Sequence, residues 1–278
     1  MSEKSDPACR FPDTPAAPHW PVALARPGEA FAVLAAGGDI PALLVCDHAT
    51  AWLPEDCDGL GVEPTALHRH VALDIGAAAL TRGLCERLGL CGVFSCFSRL
   101  LIDPNRPPDD PTLIPEVTDD VVVPGNRGLD AAEIERRFAR FYRPYHAAIA
   151  REIERFQAAG VAPAIISIHS FTPVMRGRAR PWQVGVLWNR DDRLARPILE
   201  RLRAPGDLKV GDNEPYSGRI AGYCLDHHGG ARGLPHVAFE VRQDLIDTWR
   251  GVSSWVDRLS AVLADVLADR SLFVVRHY

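Results

Sequence analysis

Four stretches of this chain are almost wholly apolar and then turn abruptly polar: PALLVCDH at 41–48, APAIISIHS at 162–170, WQVGVLWN at 182–189 and HVAFEVRQD at 236–244. Short apolar runs of this kind fit strands buried on both faces rather than strands with one wet side. Such strands need cover above and below, and the intervening sequence supplies it. LHRHVALDIGAAALTRGLCERLG (67–89) has helical spacing of Leu, Val, Ile and Ala and closes at a glycine. The segment 131–160 is a long amphipathic helix by pattern, with a bend expected near Pro144. DDRLARPILERLRA (191–204) and GVSSWVDRLSAVLADVLAD (251–269) read as two more helices. CGVFSCFSRLLID predicts another strand from about 91 to 103, and KVGDNEPYSG one that runs into a turn. The expected fold class is α/β: a mixed, mostly parallel central sheet with helices on both faces.

Hydrophobic residues make up 47% of the 278, enough for one substantial core. Residues 1–30 are rich in Pro, Ala and charge without a sustained period, so a poorly ordered arm is expected there and a single catalytic domain over 31–278. The net charge is -5, which gives no footprint for nucleic acid or an anionic membrane. The N-terminal residues hold no apolar signal region, and no run reaches the roughly 18 apolar residues of a membrane span. Seven cysteines without a CxxC pair argue against both a disulfide framework and a thiolate metal site. A cytoplasmic protein with reduced thiols is the expectation. Six prolines between 104 and 124 exclude regular structure, so 104–128 is expected to be a long irregular loop, a kind of segment that often carries function.

In open α/β sheets ligands sit beyond the carboxyl ends of the strands. Polar groups gather at four such places here: Asp47-His48, Asp103-Pro104-Asn105-Arg106, His169-Ser170 and Glu240-Val241-Arg242. A lone histidine after a strand is usually a hydrogen-bonded structural residue. Two histidines, a carboxylate and an Asn-Arg pair at equivalent positions point instead to a shared site. Two imidazoles and one carboxylate make a catalytic zinc site with a fourth position left for water. A free carboxylate nearby can move that water's proton, and an arginine can grip a substrate carboxylate bidentately.

Several segments together resemble the N-formylglutamate amidohydrolase family: DHAT at 47–50 with Leu53-Pro54, SRLLIDPNRPPDDPTLIPE (98–116), PGNRG (124–128), SIHSFTPV (167–174), VGVLWNRD (184–191), VGDNEPYSG (210–218) and GLPHVAFEVRQDLI (233–246). The resemblance spans roughly residues 40–250. It implies kinship with zinc carboxypeptidases and aspartoacylase, a zinc-carboxypeptidase-like sheet between helices, and one bound zinc ion. Carried over position by position, His48 and His169 are the metal imidazoles, Glu240 the general base and acid, and Asn105 and Arg106 the clamp on the substrate carboxylate. Arg99 is the group that polarises the scissile carbonyl.

The chain departs from the zinc carboxypeptidase pattern where a metal-binding glutamate would follow the first histidine by three residues; Ala51 stands there. The third metal ligand is therefore Asp74 or Glu55, with Asp74 preferred. Asn126 and Arg127 are candidates to hold a second substrate carboxylate, or else belong to a solvated loop. Tyr216 is a candidate hydrogen-bond donor to substrate, or else a turn residue. His236 is a candidate to support the site from behind, whereas His68, His70, His227 and His228 are expected at the surface. The activity implied is hydrolysis of a small N-acyl amino acid, N-formyl-L-glutamate first. The rival readings are a carboxypeptidase-like or polyglutamate-type hydrolase acting on a peptide, and a metal-free binding module that has lost catalysis.

Overall fold

The computed structural model describes residues 28–220 and 222–278, and most of the expected N-terminal arm lies outside them. Seven strands form the central sheet: β1 (Phe31–Leu34), β2 (Ala42–Cys46), β3 (Cys91–Ser95), β4 (Ala164–Phe171), β5 (Val184–Leu187), β6 (Val210–Asp212) and β7 (His236–Arg242). Their spatial order is β1-β3-β2-β4-β7-β5-β6. The pairs β3–β2, β2–β4, β4–β7 and β5–β6 are parallel; only β1–β3 and β7–β5 are antiparallel. The sheet is thus mixed and mostly parallel, as the apolar runs required.

Every residue of β2, β3, β4 and β5 is buried, which explains their unbroken apolarity. One face packs Leu44, Ile166, Val186 and Phe239 against α1 (Ala77–Leu88), α4 (Ala195–Arg203) and α6 (Trp249–Leu267). The opposite face packs Leu43, Val45, Ile165 and Ala238 against α3 (Arg143–Ala158) and α5 (Tyr223–His228). Each of the Val, Leu, Ile and Phe side chains among these contributes roughly 1.5–3 kcal/mol by leaving water.

Several elements differ from the sequence reading. The strand expected over 91–103 ends at Ser95, and Leu100 and Leu101 lie in a buried turn instead. The helix expected from Leu67 begins only at Ala77, after a short 3-10 turn over Pro64–His68. Gly76 sets that start: its φ is +79°, and a Cβ there would stand 2.2 Å from the Ile246 carbonyl oxygen. The long helix is α2 (Ala131–Arg137) joined to α3 through a π turn over Phe138–Tyr142, so the irregularity falls just before Pro144. The edge strand β1 was not foreseen; four residues at a sheet margin are too short to show a period.

The proline-rich loop carries a short hairpin, Val117–Thr118 with Val121–Val122, and a 3-10 turn over Pro124–Asn126, and is held from within. Buried Arg137 donates to the carbonyls of Leu101 and Gly125 and to Asn126 Oδ1, and Asn126 Nδ2 donates to the carbonyls of Leu100 and Pro115. Buried carbonyls that no strand satisfies find their donors in this way. Among the described residues the six cysteines are unpaired, and no helix is long and apolar enough to cross a membrane.

Candidate active site

Because β2, β3, β4 and β7 are mutually parallel, their carboxyl ends lie along one edge, and the candidate residues meet there. His48 follows β2 and His169 lies near the end of β4. Glu240 on β7 is the direct register partner of His169. Asp74 comes from the turn before α1, fixed by its own N–H to the His48 carbonyl at 3.0 Å and by the Ala77 N–H to its carbonyl at 3.1 Å.

Asp74 Oδ2 lies 2.7 Å from His169 Nδ1 and 3.3 Å from His48 Nδ1. Ligand atoms of the three residues all fall within 4.8 Å of one another, and all three side chains are buried. The outer ring nitrogens are engaged separately. His48 Nε2 meets Asp103 Oδ1 at 2.7 Å, while His169 Nε2 meets Ser167 Oγ at 3.0 Å and Asp47 Oδ2 at 3.2 Å. Acceptors behind each Nε2 hold a proton there, so Nδ1 is the nitrogen each ring would turn to an ion once it gives up the proton it shares with Asp74 in the metal-free site, the arrangement by which protein metal sites orient imidazole ligands. The donor set therefore fits one divalent ion with a ligand position to spare.

Asp47 and Asp103 are the residues that sequence reasoning left without a role. Asp103 also accepts from Arg99 Nη2 at 2.7 Å and from the Asn105 N–H at 2.9 Å; Asp47 also accepts from the Tyr145 hydroxyl at 2.8 Å. Burial alone would raise the Asp103 carboxyl, but Arg99 and His48 hold it well below the usual carboxylate range. Burial likewise disfavours charge on His169, yet its hydrogen bonds to Asp47 and Asp74 push its affinity for a proton well above the ordinary value.

Glu240 behaves in the opposite sense. It is 7% exposed, and its Oε2 has no hydrogen-bond partner. Burial, reinforced by the Asp74 charge, pushes its carboxyl up to about 7. Its chain neighbour Arg242 does not pair with it, being bound to Asp244 at 2.8 Å. An unsatisfied buried carboxylate beside a ligand cluster, with affinity for a proton near neutrality, has the properties of a general base.

These groups line a cleft of about 150 Å³ with Arg99, Asn105, Arg106, Tyr216 and His70. Asn105 Oδ1 accepts from the Cys224 N–H at 3.0 Å, so its amide N–H₂ is left for a ligand. The Arg106 side chain is about one-third exposed, and its guanidinium comes no nearer to Asp103 than 3.9 Å. Tyr216 lines the cleft and accepts from Arg180 Nη1 at 3.0 Å. A smaller recess of about 40 Å³, walled by Leu187, Leu225 and Ala238, adjoins His169 and Glu240.

Not every candidate arrives at the cleft. Asn126 is buried in the loop scaffold described above, and exposed Arg127 does not line the cleft. Glu55 opens a 3-10 turn and is exposed, apart from the cluster that Asp74 completes. His236 lies at the other end of β7 from Glu240. Of the histidines expected at the surface, His70 forms part of the cleft wall and His228 is buried against His146 at 2.8 Å.

The sequence profile described as N-formylglutamate amidohydrolase matches residues 40–247, three-quarters of the chain and every residue of the cluster. The chain belongs to the N-formylglutamate amidohydrolase family. No curated protein matches it. Among solved structures, the gene product Atu2144 from Agrobacterium tumefaciens is 35% identical, with a TM-score of 0.83 over 87% of this chain and 96% of that one. The N-formylglutamate amidohydrolase from Ralstonia eutropha JMP134 shares the fold at 22% identity, with a TM-score of 0.66 over 87% of this chain and 98% of that one. Family membership makes the chain an amidohydrolase by kinship.

Proposed function

We propose that the protein hydrolyses the amide bond of a small N-acyl amino acid, with N-formyl-L-glutamate as the leading substrate and zinc as the resident ion. The observation that carries this reading is the unpartnered, buried Glu240 carboxylate set beside the His48–Asp74–His169 cluster in a cleft that also holds Arg106. His48, Asp74 and His169 would hold the ion, which when bound supplies Lewis acidity and an activated water at neutral pH.

The chain's own residues do the rest. Arg106 and the Asn105 amide take the α-carboxylate, which places the scissile amide against Glu240. Glu240 removes the proton of the attacking water and later delivers it to the departing nitrogen, releasing formate and glutamate. Arg99, braced by Asp103 and Asp74, offers positive charge where the carbonyl oxygen becomes negative. The small apolar recess beside Glu240 suits a formyl group better than a bulky acyl chain.

A release assay over N-formyl-, N-acetyl- and N-carbamoyl-L-glutamate, repeated with a chelator and after adding zinc back, tests the whole reading. Formate release from the first compound, lost on chelation and restored by zinc, is expected. Turnover indifferent to chelation, or no cleavage of any N-acyl amino acid, would overturn it.

A further inference from the structure

Past Phe171 the strand that carries His169 runs into a hairpin, Val174–Met175 with Arg178–Ala179, which the Arg180 N–H closes on the Pro173 carbonyl at 2.8 Å. The Arg180 side chain comes back against the wall of the hydrolytic cleft. Its guanidinium carbon stands 4.8 Å from the centre of the Tyr216 ring and 5.8 Å from that of Phe171, and both residues line the cleft. Arg180 Nη1 donates to the Tyr216 hydroxyl at 3.0 Å and to Thr172 Oγ1 at 3.4 Å. Thr172 lines the cleft as well.

An arginine can only donate, so each hydroxyl accepts from Arg180 and keeps its own proton to give. Neither proton has an acceptor among the described residues. Burial, and after it the Glu240 charge, raises the Tyr216 phenol above its ordinary value, so its proton stays in place at neutral pH. Arg180 is half-buried and pairs with no carboxylate among the described residues. A guanidinium and two hydroxyl donors thus meet at the cleft wall with no acid among them. Such a set suits an anion.

The neighbouring guanidiniums have other work. Arg99 is held by Asp103 and Asp74, and Arg106 is the group set to take the α-carboxylate. Arg127 does not line the cleft. A substrate with one carboxylate would leave the Arg180 cluster empty, whereas a second carboxylate in the side chain would fill it. We propose that Arg180, with the Tyr216 and Thr172 hydroxyls, takes the side-chain carboxylate of the substrate and so selects acidic N-acyl amino acids over neutral ones. This assignment rests on the reading of the cleft as an N-acyl amino acid site.

The test compares N-formyl-L-glutamate with N-formyl-L-glutamine, alike in shape and different in charge. Steady-state kinetics with zinc and calorimetric titration of the chelated chain each give a glutamate-to-glutamine ratio. Wild type should favour the glutamate compound by about 10- to 100-fold, the scale of one charge-assisted contact. Arg180→Met should weaken the glutamate compound by a similar factor and the glutamine compound far less, so the ratio collapses; Arg180→Lys should restore part of it. Tyr216→Phe should reduce the same ratio by a smaller factor. Arg106→Ala should weaken both compounds alike. A ratio that Arg180→Met leaves intact, equal losses for the two compounds, or no binding of either would overturn the assignment, even in a chain that releases formate. Should neither compound be turned over, the hydrolytic reading fails, and the calorimetric ratio still decides for or against Arg180.

Discussion

Replacing Glu240 with glutamine should separate what the residue costs the fold from what it gives the reaction. In the metal-free protein the Glu240 carboxyl is buried, Oε2 is unpartnered, and its pKa stands at about 7 against 4.5 for a free glutamate. A group whose folded value is raised leaves stability unaffected below the unfolded value and erodes it as pH climbs toward the folded one. The gap amounts to about 3 kcal/mol once the pH exceeds both values. Glutamine has the same shape and no charge, so it escapes this cost. In chelated protein, Glu240→Gln should therefore be more stable than wild type by about 1 kcal/mol near pH 5.5 and by about 3 kcal/mol near pH 8. Urea unfolding at the two pH values reads the difference directly, with equal m-values as the control that the unfolded state is unchanged. The same variant should lose turnover by orders of magnitude while still binding metal. Equal stability of the two proteins at high pH would mean that Glu240 is not an uncompensated charge. Glu240 would then not be poised as a base.

Arg106→Ala should raise KM far more than it lowers kcat, with kcat/KM down roughly 10- to 100-fold for the loss of a charge-assisted contact worth about 1.5–3 kcal/mol; a steady-state comparison on N-formyl-L-glutamate decides it. Asn126→Ala should destabilise the protein by about 2–4 kcal/mol, because the Leu100 and Pro115 carbonyls and Arg137 all lose a partner. Its KM should hold steady wherever the variant is folded, which urea melts and kinetics would show. Zinc binding near pH 7 should release between about one and two protons, since His48 and His169 both have raised pKa values in the metal-free site and must lose their protons to bind an ion. Calorimetry in buffers of different ionisation enthalpy measures that number, and zero release would contradict the assigned ligands.

The sheet was legible because its strands are buried on both faces, which forces a composition that no other element shares. PALLVCDH and APAIISIHS became β2 and β4 almost residue for residue. What failed were boundaries set by single contacts. Leu100 and Leu101 are as apolar as any strand residue, yet Asn126 and Arg137, from distant parts of the chain, capture their carbonyls and bend the segment into a turn. The start of α1 depends on the room Gly76 leaves for the Ile246 carbonyl, a contact across 170 residues of sequence. Neither event leaves a local pattern.

The site divides along the same line. His48, His169 and Glu240 stood out as candidates because each lies in or just after a recognisable strand, whereas Arg106 was placed after a strand that in the structure stops at Ser95, and Asp74 was offered in place of the glutamate that Ala51 replaces. The roles of Asp47 and Asp103 could not be read, because sequence adjacency misassigns them. Asp47 neighbours His48 in the chain but supports His169, while His48 is supported by Asp103, 55 residues away. This crossed arrangement has an electrostatic consequence. Asp47, Asp74 and Asp103 are held ionised, and Arg99 is hydrogen-bonded to Asp103 while Arg106 approaches it only at 3.9 Å, so the three carboxylates exceed the one cation hydrogen-bonded to them by two charges before Glu240 is counted. Two protonated imidazoles can balance that excess, and so can one divalent ion with both imidazoles neutral. For the proposed ion the buried carboxylates would thus set the charge as well as the rings' orientation, and removing either Asp47 or Asp103 should weaken metal binding although neither is among the three proposed ligands.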